Sequence, residues 1–187
     1  MVEEASFTDI IRRAREGEAG AVQLIFERTY DELRRMAHHR LRQGERDALL
    51  DTTALVHECF VKFSNAEQLN LSDRTHFFRY AGQAMRSVIV DFARASLANR
   101  RGGGAQHLPL STTIGDSAVA GEEELLRVHE ALDELANYDP RLVQVVEMRY
   151  FAGMTETEIA EALGLTDRTI RRDWEKARLL LAQALAP

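Results

Sequence analysis

One cysteine, three prolines, 7% aromatic residues and no apolar run of about 18 residues narrow the options for this 187-residue chain. A lone cysteine, Cys59, excludes an internal disulfide and a cysteine-rich zinc site. Its neighbours Val56, Phe60 and Phe63 make it read as a buried, reduced thiol of a cytosolic protein. The missing apolar run excludes a membrane-spanning helix, and residues 1–11 lack the basic start and apolar block of a secretory signal. With few prolines and little β-branched alternation, the Ala-, Leu-, Glu- and Arg-rich stretches imply an all-α fold. No cofactor or metal is expected: His38 and His39 are adjacent and so point to different helix faces, and the other histidines show no ligand spacing. The triple glycine at 102–104 has no flanking strand and no Gly-Lys-Ser/Thr, so it is not a phosphate loop. No nucleophile has a credible base beside it, and the chain does not read as an enzyme.

Net charge is −6, from 30 acidic and 24 basic residues. Stand-alone DNA-binding domains are often basic, so this balance suggests weak DNA binding alone, or a partner that supplies the missing affinity.

What is present is helical periodicity, clearest in the run from Met154 to Leu185. Thr155 can cap a helix with Ile159, Ala160 and Leu163 on its apolar face, and Gly164 stops it. Thr166 or Asp167 can cap the next helix, whose inner stripe is Ile170, Trp174, Ala177 and Leu181. Arg168, Arg171, Arg172 and Lys176 lie on or near its outer surface, the layout of a helix-turn-helix that enters the major groove. Trp174 shares the inner stripe and reads as core.

Upstream, helices are expected near 6–16, 21–43, 53–67 and 73–97. The third carries Leu55, Val56, Cys59, Phe60 and Phe63 inward, and Asp51, Thr52 and Thr53 are all competent caps for it. The fourth buries Phe78, Ala81, Met85, Val88 and Phe92, while Arg79, Gln83, Arg86 and Arg94, with Val90 between them, form a polar stripe on the opposite face. From Gly102 the composition turns to small residues without helical period, so residues 102–121 read as a flexible linker between two small helical domains, 1–101 and 122–187. In the second, Leu125, Val128, Leu132 and Leu135 begin a packed helix, and Leu142, Val145, Val146 and Tyr150 face inward on the next.

The stretches FERTYDELRRMAHHRL, LVHECFVKF and HFFRYAGQAMRSVIVDFARA resemble region 2 of bacterial extracytoplasmic-function (ECF) sigma factors. ELANYDPRLVQVVEMRYFAGMTETEIAEALGLTDRTIRRDWEKAR is similar to their region 4, and the order of the two halves matches as well. This resemblance implies a transcription initiation factor that binds core RNA polymerase and promoter DNA and is monomeric in the holoenzyme. Region 2 would grip the clamp helices of the largest subunit through Asp51, Leu55, Val56, His57 and Glu58, and region 4 would meet the flap of the second-largest subunit. The minus-10 element would be captured and melted by Asn70, Ser72, Asp73, Arg74, Arg79, Gln83, Arg86 and Arg94, in keeping with how separated strands are held. The minus-35 element would be read by Thr166, Asp167, Arg168, Thr169, Arg171, Arg172 and Lys176, with the arginines on guanine edges or phosphates.

Two departures stand out. Many members carry a sequence close to Asp-Ala-Glu-Asp before the Leu-Val-x-Glu stretch; here Asp51, Thr52, Thr53 and Ala54 stand there, and two of three carboxylates are missing. A subset of the family lacking this cluster is controlled by a serine/threonine kinase, which points to Thr53 first and Thr52 second as phosphorylation sites, since phosphate would restore negative charge at a helix N-terminus. The simplest role of both threonines is helix capping. The second departure, Asp173 in place of a basic or polar residue, is expected to alter promoter choice. A repressor or activator using the helix-turn-helix alone, or a polymerase adaptor that does not open promoters, are the alternatives.

Overall fold

The computed structural model describes residues 6–42, 51–65, 71–101 and 112–186, and the regular structure among them is all helical, with no strand. In chain order they form α1 (Phe7–Arg15), α2 (Ala21–Arg42), α3 (Thr52–Ser64), α4 (Arg74–Arg101), α5 (Thr112–Tyr138), α6 (Pro140–Val146), a π-helical turn (Glu147–Phe151), α7 (Glu156–Leu163) and α8 (Asp167–Ala184).

Local chemistry fixes the starts. The Ser6 hydroxyl accepts the Asp9 amide at 3.2 Å to open α1, and Asp51 accepts the Ala54 amide at 2.8 Å to open α3. Of the three possible caps of α3, the aspartate takes the place, which leaves both threonines inside the first turn. Asp73, not Ser72, accepts the His76 amide at 2.9 Å at the head of α4. Thr155 and Glu158 form a reciprocal capping box on α7, and Thr166 caps α8.

Helices α1 to α4 enclose one apolar core. Phe26 lies at its centre, edge-on to Phe60, Phe63 and Phe77 at 5.1, 5.0 and 6.0 Å between ring centres. Cys59 is fully buried there, and burial pushes its thiol up to about 12, so it is an inert packing residue. Helices α5 to α8 with the π turn build two smaller clusters, one around Leu132, Leu142 and Ala177 and one around Met148, Ile159 and Ile170. Trp174 packs against both.

Three expectations are corrected. Helix α5 starts at Thr112, inside the stretch expected to be linker: no proline interrupts 112–121, and Gly115 and Gly121 weaken a helix without stopping it. Tyr150 is 43% exposed, while Phe151 is buried in its stead. The π turn explains this. The Ala152 amide bonds to the Glu147 carbonyl at 3.0 Å, five residues back, and this wider turn adds a residue that moves the buried face on by one position. Finally, the polar stripe of α4 is not free along its whole length, although Arg94 remains exposed and Arg79 and Gln83 are half-buried. Arg86, Val90, Ala93 and Leu97 are all buried, because α5 and the π turn pack across that face.

The halves approach closely at Gly82. A Cβ added there would lie 3.1 Å from the Ala152 backbone nitrogen and 3.4 Å from the Ala152 Cβ, so a larger residue would push the Ala152 backbone back by a few tenths of an ångström.

Candidate nucleic-acid and polymerase interfaces

Three surfaces carry the residues singled out in the sequence. On α3, the apolar period that builds the core also decides what faces outward. Leu55 and Val56 are completely enclosed, whereas His57 and Glu58 are exposed. Neither apolar residue offers a surface to a partner; both hold the helix in place from within. One position that sequence reasoning missed joins the exposed pair: Val61 is 48% exposed and lies one turn beyond His57 and Glu58. Its signal was present, since an apolar residue out of step with the 55, 56, 59, 63 period must point to solvent. Asp51 and Thr53 are exposed at the start of the same helix and Thr52 is half-buried.

On α4, Asn70 lies outside the described residues, and the remaining members divide into two groups. At the head, Ser72 donates to Asp73 at 2.7 Å. Burial raises the Asp73 carboxyl, but bonds from the Ser72 hydroxyl and from the His76 amide and ring outweigh it and hold the pKa at about 2. Arg74 donates to Glu32 of α2 at 2.6 Å, with its guanidinium 5.1 and 5.0 Å from the ring centres of Phe7 and Phe78. Arg79 is half-buried and Arg94 is exposed.

Gln83 and Arg86 belong to a buried polar network with the other half of the chain. Arg86 donates to Glu147 Oε1 at 2.9 Å, to Asp133 Oδ1 at 2.6 Å and to the His129 carbonyl at 3.2 Å. The His129 ring nitrogen Nδ1 lies 2.6 Å from the same guanidinium and faces it as an acceptor. Gln83 donates to Glu147 Oε2 at 2.7 Å, so both carboxylate oxygens of Glu147 are engaged from α4. The Arg86 and Glu147 side chains are only 10% and 7% exposed, while Asp133 is 61% exposed. Burial, and then the charge of Arg86, press the His129 imidazole below its ordinary value. A guanidinium suits this place, because one planar fork satisfies several acceptors at once.

The third surface is the first half of α8. Arg168, Arg171 and Arg172 are all exposed, and with Asp167, Thr169 and Glu175 they line a shallow depression. Gly164, at φ +64°, supplies the left-handed turn that swings α8 away from α7. Arg171 reaches Glu156 at 3.0 and 3.1 Å, and Glu156 also accepts from Arg149 at 2.7 Å. These two arginines, Arg149 first, hold the Glu156 carboxyl below its usual range. Lys176 turns to Asp139 at 3.3 Å and Asp167 accepts from Thr157 at 2.8 Å.

Asp173 is corrected from its expected role. It is 2% exposed, pointing inward to Arg141 Nε at 2.8 Å, and so cannot face DNA. The helical period put it beside Trp174 and Ala177 on the inner side, and its charge hid that from a reading by polarity.

The model of the ECF sigma factor family matches residues 4–186, nearly the whole chain. The chain belongs to that family. It is therefore a transcription initiation factor rather than an enzyme, and members of this family bind core RNA polymerase and promoter DNA. No curated protein matches it. Among the described residues no helix is long and apolar enough to cross a membrane, and no group of three or more His, Cys, Asp or Glu could hold a metal ion.

Proposed function

We propose that this ECF sigma factor engages the polymerase clamp helices through the outer face of α3, holds the melted minus-10 strand along α4 and reads the minus-35 element with α8, its activity being switched on by phosphorylation of Thr53. The observation that carries the promoter reading is the exposed arginine triplet Arg168, Arg171 and Arg172, set on a helix that follows a left-handed glycine turn. In helix-turn-helix proteins the first residues of the second helix reach the base edges, and arginine makes the strongest contacts there. The α3 contact rests on His57, Glu58 and Val61, which one face presents together. Polymerase is the partner that supplies the affinity an acidic chain lacks.

Thr53 fits the switch better than Thr52. It is exposed in the first turn of α3, where no acidic residue stands, whereas Thr52 is half-buried. A phosphate carries about −1.5 to −2 charges, and the free amides of the first turn favour it. Asp51 keeps the cap whether or not Thr53 is modified, so the helix survives the change. Transcription with purified core polymerase, before and after kinase treatment, tests the whole reading. Specific initiation that rises on phosphorylation and is lost in Thr53→Ala supports it. A chain that never directs specific initiation in either state refutes it.

A further inference from the structure

On the recognition helix α8, one arginine is braced and its neighbours are not. Arg171 Nε and Nη2 both donate to Glu156 Oε2, at 3.1 and 3.0 Å, across the gap between α8 and the start of α7. Glu156 is itself held from behind. Its other oxygen accepts from Arg149 at 2.7 Å, and the Arg149 guanidinium lies 4.9 Å from the centre of the Trp174 ring, which packs against both C-terminal clusters. The Glu156 side chain is 23% exposed, against 64% for Arg171, so the acceptor is fixed while the donor still faces outward. Arg168 has no ion pair or side-chain hydrogen bond among the described residues, and Arg172 comes only within 3.8 Å of Asp173.

We infer that Glu156 is a positioning residue that aims Arg171 at a guanine of the promoter, which makes this pair, rather than Arg171 alone, the determinant of that base. The inference deepens the reading of α8 as the helix that reads the minus-35 element, and it rests on that reading. Glu156 takes the edge of the guanidinium formed by Nε and Nη2. The end-on edge, with one N–H on each terminal nitrogen, stays free and lies in the same plane. In the major groove guanine presents O6 and N7 side by side, and two parallel N–H groups match them. Phosphate oxygens accept from many directions, so holding an arginine in one plane gives little advantage there. The carboxylate beside Arg171 also offsets part of its pull toward phosphate charge. A free arginine loses several rotatable bonds when it binds, and it can turn to another acceptor when the base is wrong. A braced one has lost that freedom beforehand, and a wrong base leaves one of its donors unpaired.

The test uses holoenzyme assembled from the full chain and purified core polymerase. Promoter templates randomised across the minus-35 window are bound, recovered and sequenced, and the base preference at each position is compared among variants. Arg171→Ala is expected to lower one guanine preference about fivefold or more. Glu156→Ala is expected to lower the preference at that same position about threefold, as for the ordering of one long side chain, and to leave the other positions as in the parent. Glu156→Gln keeps an acceptor oxygen of the same reach and should recover most of the loss. Glu156→Ala combined with Arg171→Ala should match Arg171→Ala alone, since the glutamate acts through the arginine. Thr155→Ala loosens the start of α7 but retains Glu156, and it should leave every base preference unchanged. A Glu156→Ala preference like the parent's, or a fall spread equally over all positions, overturns the inference. So does a guanine preference that Thr155→Ala loses to the same extent. If Arg171→Ala weakens binding uniformly with a shallower salt slope, Arg171 holds phosphate and the inference is wrong while α8 still meets DNA. If replacing Arg168, Arg171 and Arg172 together leaves the minus-35 preference intact, the reading of α8 itself is wrong.

Discussion

The Arg86 and Glu147 pair makes a quantitative prediction that separates a built interface from a chance contact. Their side chains are 10% and 7% exposed, and the contact is 2.9 Å. Removing one partner from such a pair strands a charge away from water, which costs about 3–5 kcal/mol, while replacing both by apolar residues of similar volume is often near neutral. Glu147→Leu leaves Arg86 with Asp133, which is 61% exposed and able to relax toward it, so the lower part of that range applies. Arg86→Met leaves Glu147 with only the Gln83 amide. Each single change should therefore cost about 3 kcal/mol, and at a urea m-value of about 2 kcal/mol/M this lowers the midpoint by about 1.5 M. Together they should cost no more than about 1 kcal/mol, because the half-exposed Gln83 can turn to water, and the coupling comes to about 5 kcal/mol. Urea unfolding of the four proteins, followed by circular dichroism, completes the cycle. Additivity, with coupling below about 0.5 kcal/mol, would show that the two residues are independent and would refute the argument.

Docking should also respond to acid through His129. The ring faces Arg86 and Asp133 in the network, with Arg94 on α4 and Glu130 on its own helix contributing charge. Its value in the docked form lies below the ordinary 6.5, so the neutral ring is the one that docks. The contribution is complete above about pH 6.5 and is lost as pH falls through the docked value, so scattering between about pH 5 and pH 7.5 should show expansion on the acid side. His129→Gln should flatten that profile. Asp173→Ala should lower stability by no more than about 1 kcal/mol in urea unfolding, because Arg141 is 46% exposed and can turn to water, and should leave promoter preference unchanged; a changed preference would return Asp173 to the DNA surface. Thr155→Ala removes a reciprocal cap and should cost about 1 kcal/mol, read as a fall in the thermal midpoint with no change in the contacts of α8. Arg168→Ala should weaken promoter binding in a base-dependent way if that arginine reads a base edge, or uniformly and with a shallower salt slope if it holds phosphate.

Much of the fold was readable because its signals are local. The caps at Ser6 and Thr155, the glycine turn at 164 and the apolar period of α3 each involve residues within a few positions, and the chain has few prolines to interrupt them. The C-terminal recognition surface was legible for the same reason: Arg168, Arg171 and Arg172 and the buried Ile170 and Ala177 sort themselves by period alone. Where polarity and position disagree, the period is the better guide, as Asp173 and Val61 show from opposite sides.

The sequence by itself determined that this chain is all-helical, where most helices begin and which side of each meets a core, since short-range hydrogen bonds and a repeat of 3.6 residues require nothing from distant parts of the chain. Only the tertiary structure decided the fate of α4. Its second face carries arginines, a glutamine and small apolar residues, a pattern equally suited to solvent, to DNA or to a neighbouring helix. The choice among them depends on Glu147, lying 61 residues from Arg86 and turned toward it on a π-helical segment, and on Ala152 meeting Gly82 across the halves. No periodicity encodes such a meeting, because it depends on two surfaces fitting together rather than on the order of residues along either one.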